Sequence, residues 1–234
     1  MPVDTYRIQK RGCRGIQATG TREEDFVVDL FVTTTHHYLL FFTNLGRVFR
    51  LRGYEIPEAG RQARGTPLVN LLSLNKGETV TAVIPLRDME EEGCLFMATK
   101  MGTVKKTILT EYNTSRRDGL IAINLVEGDE LIDVVRTEGD NEVILVTRQG
   151  KAIRFAESDV RSMGRNARGV RGIDLVGDEV IGMSRVREGA ELVVVSENGF
   201  GKRTPLEEYR TQNRGGKGVI TLNITERIGP VVAV

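Results

Sequence analysis

The chain predicts an all-β protein assembled from four-stranded modules of about fifty residues, and three observations carry that reading. First, one hairpin pattern occurs four times: LLFFTNLGRVFRL at 39–51, LFMATKMGTVKKTIL at 95–109, VILVTRQGKAIRF at 143–155 and LVVVSENGFGKRTP at 192–205. Each is an apolar run, a short turn ending in glycine (Gly46, Gly102, Gly150, Gly199), then a strand bearing cations. Second, a basic turn closed by glycine follows each hairpin: GRQARG at 60–65, SRRDG at 115–119, GRNARG at 164–169 and QNRGGKG at 212–218. A further copy, QKRGCRG, stands at 9–15. Third, runs of Val, Ile, Leu, Phe and Thr bounded by Gly, Asp and Asn dominate, and helical periodicity is nearly absent.

Taken in order, a module is a hairpin, a basic turn, a short strand, an acidic or polar turn, and a last strand. The pivot glycines lie 56, 48 and 49 residues apart, and the closing glycines (Gly15, Gly65, Gly119, Gly169, Gly218) 50, 54, 50 and 49. Such a period with four strands per unit predicts a propeller or solenoid. A glycine in each hairpin turn supplies the positive φ that other residues resist. The stretches after the hairpins, at 109–112, 157–160 and 206–209, have room for one helical turn at most. One sheet cannot bury both faces alone, so neighbouring modules must stack. Complete units are expected at 38–86, 94–136, 141–187 and 190–234 within a single domain, 1–234. The copy at 6–32 has only its basic turn and the strands that follow, so the chain reads as a stretch of a longer protein.

Composition narrows the function. Apolar residues make up 40%, ample for a core, and Gly stands at 26 of 234, which suits many tight turns. Net charge is only +1, so any nucleic-acid partner must be met by local clustering of cations. Cys13 and Cys94 are far apart, without companion ligands, and read as free thiols of a reducing cytoplasm. The first residues lack the apolar core of a signal peptide, and no apolar run reaches membrane-spanning length. His36 and His37 are neighbours on a strand and face opposite ways, so they share no metal. No serine sits in a nucleophile elbow and no acid–base cluster recurs, so neither a hydrolytic triad nor a cofactor is expected. Phe41, Phe42 and Phe49 read as strand core rather than platforms for nucleic-acid bases.

The candidate chemistry is therefore cationic. In QKRGCRG, Lys10, Arg11 and Arg14 fall within five residues. Gly12 and Gly15 let the backbone turn tightly, and Gln9 adds a hydrogen-bonding group. Backbone N–H groups freed by such a turn face a phosphate well, and arginine forks match its oxygens. The hairpins supply Arg47, Arg50, Lys105, Lys106, Arg154, Lys202 and Arg203. Arg50, Lys106, Arg154 and Arg203 each stand four residues past a pivot glycine, and a belt of cations at one radius is expected from them. Acids collect in other turns, at Glu23–Asp25, Glu90–Glu92, Asp129–Glu130 and Asp178–Glu179.

These motifs together resemble one family, the C-terminal domain of the DNA gyrase A subunit. QKRGCRG resembles the family's seven-residue basic box, with Gln9, Lys10, Arg11, Gly12, Arg14 and Gly15 on matching positions and Cys13 in place of a glycine. QNRGGKG resembles a degenerate second copy, departing at Asn213. GYEIP at 53–57, GRNARGV at 164–170 and GKRTPLEEY at 201–209 extend the likeness along the chain. The resemblance implies a six-bladed β-pinwheel, whose neighbouring blades exchange strands, with duplex DNA wrapped on a basic rim. It implies a non-catalytic part of an ATP-dependent type II topoisomerase that introduces negative supercoils. The implied partners are double-stranded DNA, the B subunit, plus the rest of the A subunit, in an A2B2 assembly in the bacterial cytoplasm at the nucleoid. Two other readings are the related domain of topoisomerase IV and a protein-interaction propeller; the box argues against the first, and the absence of Trp against a WD-type form of the second.

Overall fold

The computed structural model describes residues 27–60, 63–114, 116 and 119–234. Among the described residues fifteen strands form antiparallel sheets, with single 3-10 turns between some of them. The first module contributes β1 (Tyr38–Thr43), β2 (Arg47–Arg52) and β3 (Val80–Leu86). The second contributes β4 (Cys94–Thr99), β5 (Thr103–Ile108), β6 (Leu120–Ile121) and β7 (Leu131–Thr137). The third contributes β8 (Glu142–Thr147), β9 (Lys151–Ala156), β10 (Val170–Arg171) and β11 (Val180–Arg185). The fourth contributes β12 (Glu191–Ser196), β13 (Gly201–Pro205), β14 (Val219–Ile220) and β15 (Val231–Ala233).

A module does not keep all of its strands. The sheets run β3-β1-β2-β6, β7-β4-β5-β10 and β11-β8-β9-β14, so the two-residue strand after the basic turn of the second, third and fourth modules pairs with the preceding module's hairpin. Among the described residues the last sheet has three strands, β15-β12-β13. Strand exchange is thus the rule of the architecture, as the resemblance implied. At the opposite edge β3 lies against β7, β7 against β11 and β11 against β15.

The hairpin explains why exchange works. Gly46, Gly102, Gly150 and Gly199 all take positive φ, between 72° and 79°. Their N–H groups close the turn on the carbonyls of Thr43, Thr99, Thr147 and Ser196. The hydroxyls of those same residues accept the N–H of Arg47, Thr103, Lys151 and Phe200. The glycine carbonyl then serves the next module: Gly46, Gly102 and Gly150 accept the N–H of Ala122, Gly172 and Thr221. The incoming backbone comes so near that a Cβ on Gly46 would meet the Ile123 carbonyl oxygen at 2.6 Å. Glycine is needed there for close approach as well as for φ.

Cores form between modules. Leu40, Phe42 and Val48 of the first pack with Leu95, Met97, Leu109 and Tyr112 of the second. Phe96, Ala98 and Val104 pack with Val143, Leu145, Ile153 and Phe155. Ile144, Val146 and Ala152 pack with Leu192, Val194, Leu206 and Tyr209. Successive residues of β4 and β8 therefore bury opposite faces, which is why these strands read as unbroken apolar runs instead of alternating ones. Phe41, Phe42 and Phe49 are all buried. The one-turn stretches are 3-10 turns at Leu109–Tyr112, Glu157–Asp159 and Leu206–Glu208. Residues 27–32, expected as strand, carry none and leave Val28, Leu30 and Val32 exposed. In the later modules this strand pairs with the first hairpin strand of its own unit, and residues 1–26 contain no hairpin pattern.

Candidate nucleic-acid interface

The cations four residues past the pivots occupy one place, but it is a joint and not an open rim. Across each hairpin Arg50 faces Leu40, Lys106 faces Phe96 and Arg154 faces Ile144, so each lies on the side that meets the next module. Each then reaches the backbone at the next module's 3-10 turn. Arg50 donates to the Thr114 carbonyl at 2.7 Å, and Lys106 to that of Glu157 at 3.2 Å. Arg154 donates to the carbonyls of Leu206 at 2.8 Å and Tyr209 at 3.3 Å. The Glu157 and Leu206 carbonyls already accept an N–H within their own turns, from Val160 and Tyr209, and the cation adds a second donor on the free lone pair.

Carboxylates complete two of these joints. Glu142 pairs with Arg154 and accepts the Thr211 hydroxyl at 2.6 Å. Burial alone would raise its pKa, but the hydrogen bonds from Arg154 and Thr211 hold it below the usual carboxylate value. Glu157 has no exposed side-chain surface; it accepts the Thr137 hydroxyl at 2.6 Å and lies 3.9 Å from the Lys106 ammonium. Arg203, at the same register in the fourth module, instead has 70% of its side chain exposed and pairs with Glu191 at 3.1 Å.

The remaining hairpin cations divide similarly. Lys105 is wholly buried and donates to the carbonyls of Ala122 and Arg165. Burial, helped by the nearby Arg165 charge, pulls its pKa down to about 8. Arg47 bonds the buried Glu78 carboxylate at 2.8 Å and lies over the Phe49 ring. Lys202 is exposed and donates to the Thr221 carbonyl at 3.1 Å. The expectation of a hairpin belt facing DNA is therefore corrected: Lys105 and Lys106 have next to no surface to offer a phosphate, and Arg47, Arg50 and Arg154 are engaged within the protein. Of the seven hairpin cations, Lys202 and Arg203 alone stand open. The acidic turns are also structural: Asp129 and Asp178 accept the N–H of Met101 and Gln149, fastening each hairpin tip.

Gln9, Lys10, Arg11, Gly12, Cys13, Arg14 and Gly15 lie outside the described residues. Their counterparts in the later turns are visible. Arg165 and Arg214, four residues before their closing glycines, bond carbonyls of the preceding exchanged strand, Arg165 that of Ile121 at 3.4 Å and Arg214 that of Arg171 at 3.1 Å. Around them Arg64, Arg116, Arg161, Arg168, Arg171, Arg210 and Lys217 are exposed. Counting from the pivot glycine hid these residues; counting back from the closing glycine brings them into register.

A profile described as the DNA gyrase C-terminal domain, a β-propeller, matches residues 1–34, 37–87, 95–138, 141–187 and 190–234. The chain belongs to the DNA gyrase A C-terminal domain family. The DNA gyrase A subunit of Halalkalibacterium halodurans is 56% identical over 173 residues, covering 74% of this chain and 21% of that protein. Its counterpart in Escherichia coli K12 is 48% identical over 174 residues, 74% of this chain and 20% of that one. The chain thus spans about a fifth of the length of these gyrase subunits. A solved C-terminal domain of DNA topoisomerase IV superposes with a TM-score of 0.78 at 32% identity, covering 84% of this chain and 62% of that one. A solved gyrase A C-terminal domain superposes at 0.73 over 99% of this chain and 76% of that one, with 23% identity, and so shares the fold. Within this gyrase family chain no helix is long and apolar enough to cross a membrane, among the described residues.

Proposed function

We propose that this chain is the DNA-wrapping part of the gyrase A polypeptide, holding duplex DNA in a curve on the outer edge of its modules. Its own role is binding and bending; cleavage and ATP use belong to the B subunit, with the remainder of the A polypeptide, in an A2B2 enzyme of the bacterial cytoplasm. The observation that carries this is the repetition of exposed cations one residue before the closing glycine in three of the basic turns, Arg64, Arg168 and Lys217, in a chain whose net charge is only +1. The relatives named as gyrase A polypeptides support it.

The energetics suit many weak contacts. Bending 20–30 bp by 40–90° costs about 1–6 kcal/mol, more than one exposed arginine offsets. Six to ten phosphate contacts do offset it, and they make affinity fall about 10³–10⁵-fold between 50 and 200 mM salt. Phosphate contacts position the duplex without reading sequence.

The test is the linking-number shift of a nicked plasmid religated with the chain present. Wild type is expected to shift it, and Arg11→Ala combined with Arg14→Ala to remove the shift while leaving the fold intact. A shift that survives the double substitution rejects the role given to the turn at 9–15. The topoisomerase IV likeness supports a second reading, a domain that binds DNA without constraining a wrap; binding with no linking-number shift in wild type would favour it.

A further inference from the structure

Each internal joint has two halves: a hairpin with its pivot glycine, and the segment past a closing glycine that settles on it. In three joints the halves meet. Gly46, Gly102 and Gly150 accept the N–H of Ala122, Gly172 and Thr221, each three residues past its closing glycine. One half of each kind is left over. The fourth hairpin has its pivot, Gly199, at a φ of 79°, but among the described residues the Gly199 carbonyl accepts no N–H. Val193 stands opposite Arg203 as Leu40, Phe96 and Ile144 stand opposite Arg50, Lys106 and Arg154; those three are buried, whereas Val193 is 48% exposed. Toward the other end of the chain, Gly65 has a φ of 75°, inside the range of the seated Gly119, Gly169 and Gly218. Yet no described residue lies within 4 Å of where its Cβ would stand. Residues 66–70 after it are all exposed.

The two leftover halves depart from the common pattern in ways that match. In the seated joints the third residue past the closing glycine is small, Ala122, Gly172 or Thr221. It lies on the hairpin residue two past the pivot: a Cβ on Gly172 would meet the Val104 side chain at 2.6 Å. That hairpin residue is Val48, Val104 or Ala152 in the first three modules and Gly201 in the fourth. Its counterpart in the free segment is Leu68, large where the others are small. A side chain missing from the hairpin thus faces one added to the segment, and the joint keeps its volume. The register that sets Arg47 against Ile121, Thr103 against Arg171 and Lys151 against Ile220 sets Phe200 against Pro67. Phe200 is the apolar exception at that place among the four hairpins. Pro67 loses no hydrogen bond there: the ladder uses the N–H of the third residue, so by alternation that of the second points away. Val69, Asn70 and Leu71 repeat the Ile-Asn-Leu of 123–125. Val69, 66% exposed, corresponds to Ile123 and Ile173, which are buried.

We infer that two copies of this chain join head to tail, residues 65–71 of one seated on the fourth hairpin of the other, with Leu68 in the space that Gly201 leaves. The contact continues the internal joints from one copy into the next. Its two surfaces are unlike, so it propagates into a closed ring or an open array. Seating requires only that the single 3-10 turn at Leu68–Asn70 open. The association is independent of DNA.

Sedimentation velocity over a wide range of concentration reads it. Wild-type chain is expected to associate as concentration rises. Gly201→Val gives the fourth hairpin the valine of the first two and is expected to weaken association about tenfold or more by overpacking against Leu68. Adding Leu68→Ala restores the small-on-large pairing of the internal joints and is expected to recover it. Val69→Asp alone should abolish it. Each single variant keeps one good half, so mixing Val69→Asp with Gly201→Val is expected to yield a dimer that grows no further. Wild-type chain that stays monomeric, or Gly201→Val that associates as tightly as wild type, overturns the proposal. So does a mixture that stays monomeric while circular dichroism shows both variants folded, since the two halves would then not meet between copies.

Discussion

The hairpins of the third and fourth modules have the same turn, the same glycine geometry and the same cation, yet they do different things. Gly150 and Gly199 have φ of 77° and 79°. Arg154 and Arg203 follow four residues later, each ion-paired with the first residue of the partner strand, Glu142 or Glu191. On the third hairpin the exchanged strand β14 is seated: Gly150 accepts two N–H groups from the chain that follows it, and Arg154 grips the next 3-10 turn. On the fourth, nothing among the described residues lies within 4 Å of where a Gly199 Cβ would stand, and Arg203, paired with Glu191, is largely exposed. A side chain's task in this fold is set by whether a neighbouring module covers it, not by the motif in which it sits.

Glycine replacement gives the largest contrast. A Cβ on Gly150 would overlap the Leu222 carbonyl oxygen, a backbone atom held in place by the sheet. Gly150→Ala is expected to cost about 4 kcal/mol, since strain and lost strand docking combine. Gly199→Ala meets only the positive-φ penalty, about 1 kcal/mol. Urea midpoints of the two variants decide the matter: equal losses would mean that the turn, not the docked strand, accounts for the glycine at every pivot.

Next comes the cation. Arg154→Ala removes the ion-pair partner of Glu142, which keeps the Thr211 hydroxyl, and one donor from each of two backbone carbonyls, in a partly buried site. Breaking such a pair costs about 2–3 kcal/mol after allowing for partial exposure. Arg203→Ala removes an exposed pair and is expected to change stability by less than about 0.5 kcal/mol. Chemical denaturation again reads both, and a large effect at Arg203 would show that the exposed hairpin is less open than it looks.

This contrast also shows how far the sequence could be read. The modules, the turn glycines and the single helical turns were legible because each follows from local rules: apolar runs, positive φ, short connections. The fate of Arg50, Lys106 and Arg154 was not, because a cation beside a carbonyl and a cation beside water have the same sequence neighbours. Lys105 is the sharpest instance. It reads as an interface cation, and it is fully buried because the Ala122 and Arg165 carbonyls, 17 and 60 residues away, converge on it. The long-range information lay in the basic turns, where counting from the closing glycine separates Arg165 and Arg214 from their exposed neighbours.

The joints also differ at the edge where the last strands meet, and there the expected effect shows only as a dependence on pH. Asp133 on β7 stands at the place held by Ala82, Gly182 and Ala233 in the other modules, judged by its pairing with Ala98. Its carboxylate accepts the N–H of Val134 at 2.7 Å and a second N–H from Met183 of the next module. Burial outweighs these bonds and raises its pKa to about 6. An acid whose pKa is raised on folding binds more protons folded than unfolded, so its contribution is greatest below about pH 4 and is lost as pH rises through 6. Two pKa units correspond to about 2–3 kcal/mol. Asp133→Asn keeps an acceptor for both N–H groups and removes the charge. It is expected to gain stability over wild type as pH is raised from 4 to 8, with no difference at pH 4, in paired urea titrations. Glu91, Glu142 and Glu179, whose pKa values are lowered, push wild type and variant alike in the other direction, so the difference between the two proteins isolates Asp133. A difference that stays flat with pH would mean that the carboxylate is ionised at little cost and that this joint is as ordinary as those closed by alanine or glycine.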